Sequence, residues 1–372
     1  MKILQTPVRF HPFIGGVENY VYNLSRELVG LGHEVTVLCA NETKSEREEL
    51  LDGIRVRRLP YIGKIANTNI TPGLPIEILR EDFDLIHAHL PTPWSADWSA
   101  IVAKIRRRPL ILTYHNDIVG SGFASRVAHL YNHTALKFLL KQADKILITQ
   151  PKYLKSSPYL KGYEDKVVVI PVGVDVERFR PMHSDKLNNS IFFLSILDEF
   201  HRYKGLDQLL RALAFVKEKI PDVRLIVGGG GDLLEHYRRL SEGLGLEENV
   251  EFLGRVSDDM LGNYYNRCAI FVLPSVSRAQ EGFGMVLLEA MACGKPVVCT
   301  DIVGVADEVK AEGAGLIVEP SNVNQLAEAI SHLLQNESIA QKMGEVGRRL
   351  VEERYSWEKV ARRVEEVYEE LI

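Results

Sequence analysis

The sequence predicts an α/β protein of two domains, each a parallel β-sheet flanked by helices. Three observations carry this. The chain has 372 residues, more than one hydrophobic core usually organises, and so divides into two domains, each large enough to bury a core of its own. Short β-branched runs alternate with amphipathic stretches, the form of βαβ units around parallel sheets. The alternation then restarts after the proline-containing polar stretch Pro181-Met182-His183-Ser184-Asp185, placing a boundary within 171–190 where few contacts need cross.

In the first half, a strand is expected over 2–5, followed by Val17, Val21, Leu24 and Leu28 at steps of three or four residues, one face of a helix. Gly30 and Gly32 end it. Further strands are expected over 34–39, 84–88, 110–114, 145–149 and 167–170. The second series has strands over 191–194, 224–227, 251–253, 270–273, 297–299 and 316–318, with helices over 206–219, 233–244, 258–265, 286–292 and 324–334. The halves are architectural cousins without a sequence repeat. The expected domains are 1–172 and 173–355, with a last helix over 356–372 whose Trp357, Val360, Val364, Val367 and Leu371 share one face. Ligands of open α/β sheets sit beyond the carboxyl ends of the strands, so residues just after strands matter most, and two such domains facing each other share a deep cleft.

Composition narrows the function classes. With 46% apolar and 26% charged residues and a net charge of -5, the chain is an ordinary globular protein with no basic excess to suggest nucleic acid. Residues 1–172 nevertheless hold 22 Lys+Arg against 17 Asp+Glu; unremarkable surface variation is the plain reading, and an anionic acceptor or membrane surface the sharper one. Cys39, Cys268, Cys293 and Cys299 lack metal-ligand spacing and sit in or beside apolar runs, as reduced core residues do. No signal peptide opens the chain, and no apolar run approaches a membrane span. A cytoplasmic protein, soluble or peripheral on the inner face of a membrane, is expected.

Several motifs fall at the ends of expected strands. Gly15-Gly16 precedes the first helix, where bare amides and a helix dipole can hold a phosphate, although such a pair is equally a plain turn. Gly228-Gly229-Gly230-Gly231-Asp232 stands in the same relation to the strand ending at Val227, but lacks the GxGxxG spacing. Glu281-Gly282-Phe283-Gly284-Met285-Val286-Leu287-Leu288-Glu289 sets one carboxylate in a loop and a second two turns into a helix. Its glycines leave that helix N-terminus open for a donor phosphate, Glu281 can accept from sugar hydroxyls, and Glu289 from ribose hydroxyls. A charged pair on a helix is usually a solvated face; the apolar residues around this one argue for burial, which is costly for a carboxylate without a polar ligand.

Glu281-x7-Glu289 with Phe283-Gly284, together with Ala292-Cys293-Gly294-Lys295-Pro296-Val297-Val298, Gly15-Gly16-Val17-Glu18 and Pro171-Val172-Gly173-Val174-Asp175, resembles the retaining glycosyltransferases of the GT-B fold, glycosyltransferase family four. The match runs nearly the whole chain. It implies two Rossmann-like domains across a cleft, a nucleotide-sugar donor in the second domain, and a terminal helix returning to the first. By the same resemblance Lys204, in Tyr203-Lys204-Gly205, neutralises the donor diphosphate. The arginine usual in a Gly-Arg-Leu segment is missing here, with Arg202 or His201 as replacements. Gly229, Arg255, Val256, Gly282, Phe283 and Gly284 join the implied donor contacts. His115, ending the strand over 110–114, falls where the family carries a cleft histidine, and would orient donor or acceptor. His87 and His89 are structural or acceptor-side.

The catalytic set implied is therefore His115, Lys204 and Glu281, in a hexosyltransferase that moves a sugar from a UDP- or GDP-sugar to a glycan, lipid-linked or small-molecule acceptor. The nucleotide-sugar is a co-substrate and no metal or other cofactor is needed, since Lys204, a nearby cation and the helix N-terminus stabilise the departing diphosphate. A retaining hydrolase would instead need two carboxylates about 5 Å apart. The rivals are a nucleotide-sugar epimerase on the same scaffold and a non-catalytic sugar-nucleotide or glycan-binding protein, the latter suggested by the missing arginine. Arg106-Arg107-Arg108 is by default a solvated basic turn, and otherwise a contact for anionic lipid or a phosphorylated acceptor.

Overall fold

The computed structural model describes residues 1–13, 15–65, 68–118, 123–278 and 280–372. It divides into two compact units, Met1–Gly173 with Trp357–Ile372, and Val174–Ser356.

The first unit holds strands β1 (Lys2–Thr6), β2 (Glu34–Ala40), β3 (Glu48–Leu51), β4 (Ile54–Leu59), β5 (Gly63–Ile65), β6 (Thr68–Ile70), β7 (Leu85–Leu90), β8 (Leu110–Tyr114), β9 (Lys145–Ile148) and β10 (Val167–Val169). Its helices are α1 (Gly16–Gly30), α2 (Leu74–Arg80), α3 (Ser95–Arg106), α4 (Phe123–His133), α5 (Ala135–Gln142) and α6 (Lys152–Ser156). Eight strands form one sheet in the order β10-β9-β8-β7-β1-β2-β4-β3, parallel except where β3 runs against β4. β5 and β6 form a separate hairpin. The core strands are fully buried, as in β7, Leu85–Leu90, because helices cover a parallel sheet on both faces. Helix α1 buries Tyr20, Val21, Leu24 and Leu28, the last three being the spaced face of the sequence, at roughly 1.5–3 kcal/mol per large apolar side chain.

The second unit holds β11 (Ser190–Leu194), β12 (Arg224–Gly228), β13 (Val250–Gly254), β14 (Ile270–Leu273), β15 (Val297–Thr300) and β16 (Gly315–Val318). Between and after them lie α7 (Leu206–Lys219), α8 (Leu234–Gly243), α9 (Asp258–Arg267), α10 (Met285–Ala292), α11 (Ala306–Glu312), α12 (Val323–Gln335) and α13 (Glu337–Arg354). All six strands are parallel, in the order β13-β12-β11-β14-β15-β16. Counted from β11 this is 3-2-1-4-5-6, the order of dinucleotide-binding sheets, whose ligand crevice opens where the order reverses. Here that point lies between β11 and β14, which pair directly at Ile191 with Ile270 and Phe192 with Phe271.

The last helix, α14 (Trp357–Glu369), belongs to the first unit. It buries Trp357, Val360, Val364 and Val367, and is fastened by His87 Nδ1 to Tyr368 Oη at 2.6 Å and His33 Nε2 to Glu365 at 2.7 Å. Gly173 lies against it so closely that a Cβ would overlap the Trp357 ring.

Every strand expected from sequence is present, with ends differing by one or two residues. The expectation omitted β3 to β6 and the helices α2 to α6, α11 and α13. All four cysteines are free and buried, and no helix among the described residues is long and apolar enough to cross a membrane.

Candidate active site

The reversal point of the second sheet is where the candidate functional side chains of this unit collect. After β11 the chain loops to a short 3-10 helix, Glu199–Lys204, and turns at Gly205, whose φ of +82° is left-handed and suits glycine. A Cβ there would also overlap the Pro274 carbonyl. This close approach lays the loop after β11 along the loop after β14, where Val276 N donates to Tyr203 O at 2.7 Å. The contact brings Lys204 Nζ to both carboxylate oxygens of Glu281, at 2.9 and 3.1 Å. Ser275 Oγ donates to the same carboxylate.

Glu281 is 5% exposed and Ser275 fully buried. A carboxylate so placed requires compensation, and it receives a cation and a hydroxyl. The ammonium has three donors; two bond lengths go to Glu281, and its side chain retains 18% exposure. The ammonium also lies 5.0 Å from the centre of the Tyr203 ring.

Beyond Glu281 the chain enters α10 through Gly284, φ +85°, where a Cβ would overlap Val303. No side chain caps this helix and its first turn has no acidic residue. Its N-terminal end therefore keeps the partial positive charge of a helix start without an internal counter-charge. At Gly282 the surroundings are open. Phe283 packs on Tyr355, ring centres 5.8 Å apart.

Glu289 stands one turn into α10. Its Oε2 accepts from Tyr265 Oη at 2.6 Å, and burial pushes its carboxyl up to about 7, with the Tyr265 hydrogen bond opposing the shift. It makes no direct bond to the Lys204–Glu281 pair among the described contacts.

Three expected donor-side residues, Arg202, His201 and Gly229, have partners within the chain. Arg202 turns to Glu199 at 3.4 Å and Asp207 at 3.9 Å, and His201 is held by Asp198 at 2.6 Å. Gly229 spends its amide on Gly254 O at 2.8 Å. Its φ of +131° and its position against Ser195 O give the glycine run a packing cause: Ser195 N donates to Gly228 O and Leu197 N to Gly230 O. The Arg255 side chain is exposed, while Val256 packs where a Cβ on Gly228 would meet it at 3.2 Å.

In the first unit, Gly15 and Gly16 open α1. A Cβ on Gly15 would overlap the Glu18 carboxylate, which tucks against its own helix start and pairs with Arg9 Nε at 3.0 Å. This N-terminus already carries an anion. His115 follows β8 and stacks in a buried aromatic group, 4.9 Å from Tyr20 and 5.8 Å from His89. Burial lowers its imidazole to about 4 and that of His87 to about 3. His87 and His89 are fully buried, bonded to Tyr368 and Thr113 and to Gln5 at 2.8 Å; they are structural. His115 Nε2 and His89 Nδ1 are both buried in this group without a hydrogen-bond partner.

Sequence reasoning missed Ser275 and Tyr265. Serine after a strand and tyrosine in a helix carry no signal alone; their partners, Glu281 in the same loop as Ser275 and Glu289 on α10, appear only in the folded chain. Among the described residues no cluster of His, Cys, Asp and Glu could hold a metal ion.

Residues 183–350 match the family model described as glycosyl transferases group 1, and residues 14–178 that of glycosyltransferase family 4. The chain is 30% identical over 365 residues to the O-antigen chain mannosyltransferase C of Escherichia coli, covering 96% of this chain and 95% of that one. It is 29% identical to the phosphatidyl-myo-inositol mannosyltransferase of Mycobacterium leprae, covering 95% and 93%. Among solved structures, Anabaena HepE in complex with UDP superposes with a TM-score of 0.79 at 22% identity, covering all of both chains.

Proposed function

The chain belongs to the group 1 glycosyltransferases, with a family 4 amino-terminal half and the GT-B fold, and from that premise we propose a retaining, metal-independent transfer of a sugar from a UDP- or GDP-sugar to a glycan or lipid-linked acceptor. The observation that carries the donor assignment is Lys204 on Glu281, 2.9 Å apart, at the reversal point of a 3-2-1-4-5-6 sheet beside the uncapped start of α10. The solved relative holding UDP supports a uridine nucleotide, and the mannosyltransferase relatives support a hexose.

In the reaction the acceptor oxygen bonds to the anomeric carbon as the bond from that carbon to the diphosphate breaks. The acceptor proton passes to an oxygen of the departing diphosphate on the same face. Lys204 and the α10 amides stabilise the charge that develops there, and they need no rearrangement to do so. Glu281, fixed by Lys204 and Ser275, accepts from sugar hydroxyls; Glu289 accepts from the ribose. His115 offers Nε2 to donor or acceptor as a neutral imidazole.

A thermal-shift series with UDP-, GDP- and ADP-sugars tests this. The melting temperature should rise with one nucleotide class, and the rise, taken relative to each variant's own unliganded protein, should shrink in Lys204→Ala and Glu289→Ala. Product analysis then requires a new glycoside formed only with acceptor. Turnover without acceptor would indicate epimerisation, and binding without turnover a non-catalytic protein; either outcome sinks the proposal.

A further inference from the structure

We propose that the second unit carries a further anion site, for phosphate or a small phosphomonoester, in a cavity at the amino-terminal end of its sheet. Lys204 and Glu281 follow the carboxyl ends of the strands, so this site does not depend on what they bind.

The cavity arises from topology. The turns 186–189, 268–269 and 294–296, which lead into β11, β14 and β15, meet the end of α12 and the first turns of α13 around a space of about 360 Å³. That is the lower range of small-molecule sites. The three turns are neighbours because β14 pairs with both β11 and β15.

Two cations line this space without an acid bonded to either. Lys295 is 8% exposed. Its Nζ donates to Asn266 O at 2.7 Å, a carbonyl that also accepts from Ser184 Oγ at 3.0 Å. The bond sets a cation at the carboxyl end of α9, which the helix dipole favours, and it uses one of three ammonium donors. No carboxylate pairs with Lys295 among the described residues, and a buried charge without a counter-ion is costly. Lys186, exposed and lining the same cavity, enlarges the imbalance. Burial holds the Lys295 ammonium below its ordinary 10.5, and the charge of Lys186 lowers it further.

The acids at this end of the unit do not neutralise the pair. Asp222 holds Asn189 Nδ2 at 2.9 Å, and Glu345 holds Gln341 Nε2 at 3.0 Å. Asp185 neighbours Lys186 in the chain but does not line the cavity. Among the described residues Glu337 is the one acidic lining residue; it is exposed and forms no ion pair with either lysine. An oxyanion between Lys186 and Lys295 would offset both charges and take the ammonium donors that Asn266 leaves. Asn188, which also lines the cavity, adds an amide. Phosphate suits this set better than a monocarboxylate, since two point charges and an amide match its several oxygens and multiple charge.

Thermal shift with inorganic phosphate tests the assignment, each point matched to potassium chloride of equal ionic strength. Phosphate should raise the melting temperature saturably where chloride does not. Lys295→Gln should weaken the apparent affinity on the order of tenfold, the usual worth of a hydrogen bond to a charged group. Lys186→Gln should weaken it about threefold, as a more exposed partner; this surface substitution leaves the fold intact and keeps the test decisive if Lys295→Gln does not fold. The response should persist in Lys204→Ala, which separates this cavity from a diphosphate subsite. Glycerol 3-phosphate in place of phosphate identifies the source: tighter binding marks an organic phosphomonoester, and equal or weaker binding the free ion. A shift matched by chloride, one undiminished in both lysine variants, or one lost only in Lys204→Ala would overturn the proposal, as would the absence of any shift.

Discussion

Glu289, which we propose accepts from the ribose, shows how burial makes a carboxylate pH-sensitive. Its carboxyl is pushed from an ordinary 4.5 to about 7 by desolvation. The folded state therefore holds a proton that the unfolded chain releases at lower pH, so this group's contribution to stability is fully present below 4.5 and is lost as pH rises through about 7. Ligand binding runs the other way. A ribose hydroxyl donating to the ionised carboxylate must first displace the proton, so nucleotide-sugar affinity should rise up to roughly tenfold per pH unit until about 7 and then level off. Titration calorimetry from acid to neutral pH checks this, using an intact nucleotide sugar because a free terminal phosphate titrates near pH 6 itself. Glu289→Gln should bind more weakly and with a flat profile; a variant that keeps the slope would show that another group sets it. Glu289 and Glu281 were visible in sequence because two acids flank a glycine-opened apolar helix. Ser275 was not, since its hydroxyl matters only through the way its own loop returns Glu281 to it.

At the scale of elements, the omitted helices differ in what they bury. Helix α3 buries Ser95, Ala96, Ser99, Ala100, Val102 and Ala103, and α13 buries Gly344 and Gly347 ahead of Leu350 and Val351, faces built largely of small residues, whereas α5 buries Leu136, Leu139 and Leu140. Large apolar residues do recur at helical steps in both α3 (Trp98, Ile101, Val102, Ile105) and α13 (Ile339, Met343, Val346, Leu350), so these helices were legible by period although the expectation omitted them. In β4, by contrast, buried Arg58 donates to Glu46 O and His11 O and reads as a surface residue until its partners are known. The long βα alternation was legible because Val, Ile and Leu in buried parallel strands leave nearly continuous apolar runs. The small-faced packing of α13 yields a test that separates propensity from contact. In isolation Gly→Ala favours a helix by about 1 kcal/mol. At Gly344, however, a Cβ would overlap Gly294 O, backbone of the turn between α10 and β15 that has little room to move. Gly344→Ala should therefore destabilise by roughly 1–3 kcal/mol, the usual cost of overpacking, as read from urea midpoints. A stabilised variant would mean that α13 can shift outward without penalty.

The chain leaves the first unit at Gly173 and re-enters it at Trp357, so that unit is closed by a helix which arrives last in sequence. The closure is made by the apolar face of that helix, Trp357, Val360, Val364 and Val367, and a group of buried neutral histidines adds to it. His87 joins Tyr368 across 281 positions at 2.6 Å, His87 and His89 stack at 4.5 Å, and Tyr20 meets both His115 and Trp357. No spacing rule reaches over such a distance; the resemblance alone assigned the last helix to this unit, and the histidines by themselves read as scattered. Burial holds all three imidazoles below the ordinary 6.5, with His115 at about 4. A base with a depressed folded pKa contributes stability that is present above 6.5 and lost as pH falls toward the folded value. For His115 alone the full shift is worth on the order of 3 kcal/mol, and His87 and His89 titrate in the same direction. Urea midpoints should thus fall steeply between about pH 6.5 and 4, with loss of protection from hydrogen exchange beginning in α14 and β7. His115→Gln should flatten part of that slope while leaving the neutral-pH midpoint closer to the parent than the acid one. An acid transition that leaves α14 protected, or one unchanged in this variant, would place the proton-linked unfolding elsewhere and remove the histidine stack as the latch of the C-terminal helix.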